Sequence, residues 1–335
     1  MNFIYDENIY IKIFSSKESR DKKMKIITHE DIKKLDIKNE ECYSWLEEAL
    51  SFKQECFLPA KCSIKPQKDI FFTSMPCLIP SLDIYGLKMV SRIPTQDPAL
   101  NSTIMLFKYS TGELLGIIDC NWITAMRTGA VATMSMLKSA KSDFQTLGCI
   151  GLGNTCVATL DILLPMLVSR TLTINLKKYK DHPKRIMKRY QSFSNIEFKM
   201  IDDTKTLIKQ SDVVLSCITS TDQNIGENEW FHPGITIIPV HTMGFQNCDL
   251  FFDKVIIDDY EHVKGFKYFN EFKNIVELQE LPKKKSIREN DQERIIAYNV
   301  GIALHDVYFA YKIFKQLNND EENIEINPPH QKYWI

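Results

Sequence analysis

An apolar run at residues 146–150 leads directly into Gly151-Leu152-Gly153-Asn154-Thr155-Cys156, and an apolar helical stretch with Val157, Leu160, Ile162 and Leu163 follows. Strand, G-x-G and helix in that order form the dinucleotide-binding arrangement. Glycines let the backbone approach a pyrophosphate, and the helix N-terminus offers oriented N–H groups with partial positive charge. Cys156 stands at the third glycine of the fingerprint and is small enough for close helix–strand packing. Tight turns imitate G-x-G, so the motif needs a partner site. Arg127 opens a helix amid Thr128, Gly129 and Ala130, where a guanidinium can clamp a carboxylate in a bidentate fork; the alternative is a surface arginine paired with an acid. Lys88, in Gly86-Leu87-Lys88-Met89-Val90, interrupts a strand otherwise suited to burial. An unpaired buried charge is costly, so an anionic partner is expected unless the strand turns this residue outward. The second nucleotide-domain strand, residues 172–176, ends without the acid that would bond a ribose 2′-hydroxyl; Lys177 and Lys178 follow and suit a 2′-phosphate, or a solvated turn.

The elements that must position these residues fall into two textures. Residues 24–35 read as a strand followed by a short helix capped by Thr28, and Trp45 to Phe52 continues as an amphipathic helix. Strands are expected at 58–61, 70–75 and 85–92, and a hairpin turning at Gly112 joins 106–109 to 114–119. From residue 145 the chain alternates strand and helix, with strands at 146–150, 171–176, 196–201, 213–218, 235–240 and 254–258. That alternation implies a parallel, doubly wound sheet. The charged span 278–294 reads as a surface loop or a frayed helix, and a long amphipathic helix is expected over 293–317, interrupted at Gly301. Residues 1–23 read as an N-terminal extension with a polar linker.

At 335 residues the chain suits two domains, and a 44% hydrophobic fraction is ample for a core. A net charge of −1 provides no field that would draw it to nucleic acid or membrane. Nine cysteines lack a CxxC pair or a zinc-type spacing, so no metal site and a reducing compartment are expected. Without a signal peptide or an apolar run of spanning length, the chain reads as cytoplasmic.

The runs LLGIIDCNWITAMRTGAVATMSML, LGCIGLGN, SDVVLSCITSTDQNI, FDKVIIDD and YNVGIALHDVYFAYKIF, in this order, resemble the ornithine cyclodeaminase/mu-crystallin family over about Met24 to Leu317. Within it, the branch that makes siderophore diaminopropionate precursors by oxidising N-(2-amino-2-carboxyethyl)-glutamate looks nearest. The resemblance implies a Rossmann-type doubly wound parallel sheet (126–302) inserted in a smaller α+β substrate and dimerisation domain (24–125 plus 303–335). It implies a homodimer, an NAD or NADP cofactor and a small amino-acid or imine substrate held in the interdomain cleft. By the same resemblance Lys61, Lys88 and Arg127 hold the substrate carboxylate, with lysine at 61 where most of the family has arginine. Gly151, Gly153, Asn154 and Thr155 hold the pyrophosphate. Thr219 lines the nicotinamide, and Asn299 with Gly301 closes over the ring.

Two family acids have no counterpart: Thr73 stands before Ser74-Met75-Pro76 where cyclodeaminases carry glutamate, and Met243 falls at the catalytic aspartate. His241 and Asp249 are nearby candidates for the proton-transfer role. Cyclodeamination is therefore disfavoured. The expected activity is an NAD(P)-dependent dehydrogenase or imine reductase acting on the C–N bond of an amino-acid derivative. The alternatives are a catalytically degenerate nucleotide-binding protein and a peptide-tailoring enzyme that uses residues 1–23 for recognition.

Overall fold

The computed structural model describes residues 23–219, 221–317 and 323–325, so the expected extension and the proline-rich tail lie outside the described residues. In chain order the elements are β1 (Lys23–Ile27), α1 (His29–Lys34), α2 (Asn39–Ser51), β2 (Cys62–Gln67), β3 (Ile70–Ile79), β4 (Ile84–Arg92), β5 (Leu100–Lys108), β6 (Glu113–Asp119) and α3 (Asn121–Ser139). There follow β7 (Thr146–Ile150), α4 (Asn154–Met166), β8 (Leu172–Lys177), α5 (His182–Arg189), β9 (Ile196–Ile201), α6 (Thr204–Lys209), β10 (Val213–Ser216), β11 (Thr236–Pro239) and β12 (Lys254–Ile257). The chain ends with α7 (Tyr260–Val263), β13 (Ile275–Glu277), β14 (Ile295–Tyr298), α8 (Ala303–Gln316) and β15 (Asn323–Glu325).

Thr28 starts α1 through a reciprocal capping box with Asp31, which satisfies two N–H groups the helix cannot use itself. In α2 the spacing Cys42, Trp45, Leu46, Ala49, Leu50 puts one apolar stripe against the core. Trp45 meets Phe309 of α8 edge-on at 5.3 Å. Strands β2 to β6 form an antiparallel run, and Gly112 takes the φ of +70° that the β5–β6 turn requires. β1 adds parallel to β6, giving a seven-stranded sheet ordered β15-β1-β6-β5-β4-β3-β2. α8 lies on β3, β4 and β5 and also against α2 and α3.

The second sheet is wholly parallel, ordered β13-β12-β14-β11-β10-β7-β8-β9. From β7 the chain winds outward through β8 and β9, then returns to β10 on the other side. The carboxyl edge at that reversal is the crevice where such sheets bind ligands. α3 joins the sheets and packs along α4. A Cβ on Gly129 would fall 2.7 Å from the Ala158 carbonyl carbon, so the helices touch only because that residue has no side chain. One apolar cluster fills the space between the sheets and their helices. A second, with Val214, Phe231, Ile237, Phe252 and Tyr298, covers the other side of the parallel sheet.

Two expectations require correction. Residues 293–317 are not one helix: Ile295–Tyr298 is a fully buried strand bonded on both sides, and α8 begins only at Ala303. A short, wholly apolar run does not distinguish a buried strand from a buried helical turn, and the vacant place between β11 and β12 decided it. Gly301, at φ +78°, breaks the chain between the two elements. Residues 58–61 form no strand; a single bridge joins Phe57 to Leu78, and Pro59, lacking an N–H, ends the pairing until β2. No helix of the described residues is long and apolar enough to cross a membrane.

Candidate active site

Gly151 follows β7 at φ +80°, and a Cβ there would lie 2.5 Å from the Cys217 carbonyl carbon. Gly153, the residue before α4, faces open space: nothing lies within 4 Å of where its Cβ would be. No side chain caps α4, so its first N–H groups, at Asn154 and Thr155, have no local acceptor. Cys156 is fully buried, as close helix–strand packing requires. A tight turn, open room above Gly153 and an uncapped helix end fit a dinucleotide's pyrophosphate.

Beyond the loop, a cavity of about 320 Å³ is lined by Gly153 and Asn154 with His182, Arg185 and Arg189 of α5. His182 Nδ1 lies 3.2 Å from the Leu152 carbonyl. The basic stretch carrying these residues reads from sequence as a solvated face, and only the fold turns it towards the glycine loop. Lys177 Nζ donates to the Asp202 carbonyl at 2.8 Å, and Lys178 pairs with the Asp202 carboxylate at 3.0 Å.

The parallel sheet's carboxyl edge also carries Thr219 after β10, His241 after β11, Asp258 after β12 and Asn299 to Gly301 after β14. Against the last of these the three sequence-predicted cations converge. Lys88, on β4, is 1% exposed and donates to Asp306 Oδ1 and Thr124 Oγ1, each at 2.7 Å. Arg127 Nε, on α3, donates to the same Asp306 Oδ1 at 2.9 Å. Its outer nitrogens lie under Gly301, where a Cβ would come within 2.4 Å of Nη1. Lys61 Nζ donates to the Val300 carbonyl at 3.0 Å. Burial, and then the neighbouring Arg127 charge, lower the Lys61 ammonium to about 8.

Two carboxylates complete the centre. Burial alone would push Asp306 up, but Arg127 and Lys88 overrule it and hold its carboxyl below the usual range. Asp258 accepts the Gly301 N–H at 2.6 Å, and burial dominates there, raising its carboxyl despite Arg127 and Lys61. Sequence reasoning missed both acids. The signal for Asp306 was present: an acid in the apolar stretch of α8 needs a cation as much as Lys88 needs an anion. Asp258 Oδ1, Asp306 Oδ2 and both ring nitrogens of the buried His305 have no hydrogen-bond partner among the described residues. Buried polar groups of that kind call for a bound molecule or solvent.

The remaining candidates lie outside the cation cluster. His241 Nε2 is 2.7 Å from Ser216 Oγ and Nδ1 is 2.5 Å from the Met243 carbonyl, and burial lowers its ring to about 4. Asp249 is buried with its Oδ1 accepting a hydrogen bond from the Tyr298 hydroxyl at 2.6 Å; burial raises its carboxyl to about 7. Met243 is half exposed, Thr219 is exposed, and Thr73 is buried in a hydrogen bond with Ser63. Asn299 is buried, with Nδ2 donating to Ser135 Oγ at 3.1 Å and Oδ1 without a partner among the described residues. Gly301 packs on Arg127 and donates its N–H to Asp258.

Fold and site together define a Rossmann-type α/β protein whose nucleotide edge faces a buried cationic centre built largely from a second sheet and its helices. The sequence profile of the Ornithine cyclodeaminase/mu-crystallin family matches residues 22–321. This chain belongs to that family. Among relatives, the Nodulation efficiency protein NfeD of Rhizobium meliloti is 22% identical over 76% of this chain and 83% of its own. The N-((2S)-2-amino-2-carboxyethyl)-L-glutamate dehydrogenase of Staphylococcus aureus is 25% identical over 68% of this chain and 71% of its own. The fold matches that of the Thermococcus litoralis Delta(1)-pyrroline-2-carboxylate reductase, solved with NADH and L-proline, at a TM-score of 0.76 and 21% identity, covering 88% of this chain and 97% of that one.

Proposed function

We propose that this chain is an NAD(P)-dependent oxidoreductase acting on the C–N bond of an amino-acid derivative, interconverting an α-amino acid with the imine at its α-carbon. The observation that carries this reading is the meeting of Lys61, Lys88 and Arg127 with Asp258 and Asp306 at the sheet edge that also bears the glycine loop. Three cations face two carboxylates, so one positive charge is left for a substrate carboxylate. Gly151, Gly153, Asn154 and Thr155 hold the pyrophosphate, and Thr219 borders the nicotinamide. The bound nicotinamide supplies or takes the hydride.

Asp306 fixes Lys88 and one side of Arg127, which leaves the outer guanidinium nitrogens to fork the substrate carboxylate. With the carboxylate clamped, the α-carbon is presented in one orientation, and orientation supplies much of the rate of hydride transfer. In the reducing direction the C=N carbon gains hydride and the nitrogen gains a proton, giving the amine and the oxidised nucleotide. Lys177 and Lys178, with no acid at the end of β8, favour NADP. Ile64, Phe72 and Met89 expose apolar side chains on the outer face of β2 to β4, and that face is proposed as the surface of a homodimer, which light scattering tests.

The test is a titration with NAD(H) and NADP(H), followed by nucleotide absorbance with a substrate panel. The panel comprises pyruvate with ammonia, Δ1-pyrroline-2-carboxylate and N-(2-amino-2-carboxyethyl)-glutamate. Arg127→Ala should weaken substrate recognition by about 10- to 100-fold, the worth of a charged hydrogen bond, while nucleotide affinity holds. Unchanged KM and kcat in that variant would defeat the carboxylate assignment. Nucleotide binding without turnover across the panel would favour the degenerate binder instead.

A further inference from the structure

We propose that Lys61 is the proton donor of the reaction: its ammonium gives a proton to the nitrogen of the substrate's C=N as the carbon receives hydride, and its neutral amine takes that proton back in the oxidation. The inference rests on the functional reading above and assigns the group that Met243 cannot supply. The electrons move with the hydride, the new N–H bond takes the Lys61 proton, and solvent reprotonates the amine.

The argument is one of geometry among the titratable groups of the cleft. Arg127 has its Nε on Asp306 and its outer nitrogens assigned to the substrate carboxylate. Lys88 is sealed, with its Nζ divided between Asp306 and Thr124. Asp306 spends one oxygen on two cations and Asp258 one on the Gly301 N–H; their second oxygens and both nitrogens of His305 have no partner among the described residues, but all three residues are sealed, at most 1% exposed. Both nitrogens of His241 are engaged at the sheet edge. Lys61 differs from all of these. It stands on the extended segment entering β2, it is half-buried rather than sealed, and among the described residues its ammonium donates only to the Val300 carbonyl. Its remaining N–H bonds are therefore available to a substrate nitrogen.

The charges facing it come from four elements: Arg127 on α3, Lys88 on β4, Asp306 on α8 and Asp258 after β12. Burial and the two cations loosen the proton, while the two carboxylates retain it, leaving the amine to titrate at about 8 in the free protein. An acid of that strength near neutral pH is well matched to both giving and regaining a proton. An arginine in the same place would bind an anion equally well and could not do this.

The sign follows directly. Reduction uses protonated Lys61, so kcat/KM for the imine should fall as pH rises through about 8. Oxidation uses the neutral amine, so its rate should rise over the same window. Lys61→Arg keeps the charge and removes the titration. It should lower kcat at pH 7 by about 100-fold or more, with the Lys61-dependent limb gone from both profiles and nucleotide Kd unchanged. A second measurement needs no turnover: competitive acylation of the wild-type protein with acetic anhydride across pH 6–11, mapped by mass spectrometry, reads the ionisation of Lys61 itself. Half-reactivity near pH 8 together with loss of the limb in Lys61→Arg supports the proposal. Half-reactivity near pH 10, or an unchanged limb in Lys61→Arg, overturns it and leaves the oxidoreductase assignment standing. A wild-type protein that binds nucleotide but reduces nothing in the panel overturns both.

Discussion

Removing the charge of Asp306 is the most informative perturbation of this molecule. One oxygen of that carboxylate faces Lys88 Nζ at 2.7 Å and Arg127 Nε at 2.9 Å, and Asp306 is fully buried. At an effective dielectric of about 20, each contact is worth roughly 6 kcal/mol of gross attraction. The two nitrogens share an oxygen, so they lie within about 6 Å of each other and repel by roughly 3 kcal/mol. Desolvating three ions cancels much of the remainder. Breaking such a buried pair nevertheless costs about 3–5 kcal/mol, because the cations left behind stay buried. Asp306→Asn, which keeps the shape and an acceptor, should sit near the lower end of that range. Urea unfolding monitored by circular dichroism reads the loss directly. Lys88→Met relieves one stranded charge, so Asp306→Asn should cost about 2 kcal/mol less in the Lys88→Met background than in the wild type. Additivity of the two substitutions to within about 0.5 kcal/mol would refute the claim that Asp306 acts as the shared counter-charge.

Further outcomes follow from the loop and from two histidines, one sealed and one half-buried. Gly153→Ala enters open space and should leave unfolding stability within about 0.5 kcal/mol of wild type, yet raise the Kd for the nucleotide about tenfold or more by occupying room the pyrophosphate needs. Isothermal titration and a thermal melt separate the two effects, and unaltered nucleotide affinity would sink the pyrophosphate assignment. His305 and His241 are lowered by burial to about 3 and about 4, so the unfolded chain binds protons that the folded chain refuses between those values and about 6.5. Stability is then whole above pH 6.5 and falls as the pH drops towards 4, by up to about 1.4 kcal/mol per pH unit for each ring. For His305 the surrounding charges are Arg127, Asp306, Lys53 and His262. Urea midpoints measured from pH 7 to 4.5 should decline, less steeply in His305→Leu; equal slopes in the two proteins would contradict this account.

The amino-acid sequence by itself determined the local features: the strand-to-glycine turn at Gly151, the Thr28 cap, the Gly112 hairpin and the alternation that makes a parallel sheet. Each depends on residues close together in the chain, so their spacing carries the information. It also marked Lys88 and Arg127, because a charge in an apolar run must be answered from somewhere. What answers it was decided by tertiary structure. Asp306 arrives from α8, 218 residues beyond Lys88, and Asp258 from the end of β12. The strand at Ile295–Tyr298 was hidden for a related reason: its four residues are apolar throughout, and only the neighbours β11 and β12 make a strand of them. The same holds for His241 and Asp249, which composition offers as acids or bases and whose hydrogen bonds turn them towards Ser216 and Tyr298. A side chain's type sets what chemistry it can perform. Whether it faces a substrate depends on packing between segments remote in sequence, where burial and long-range charge choose its partners.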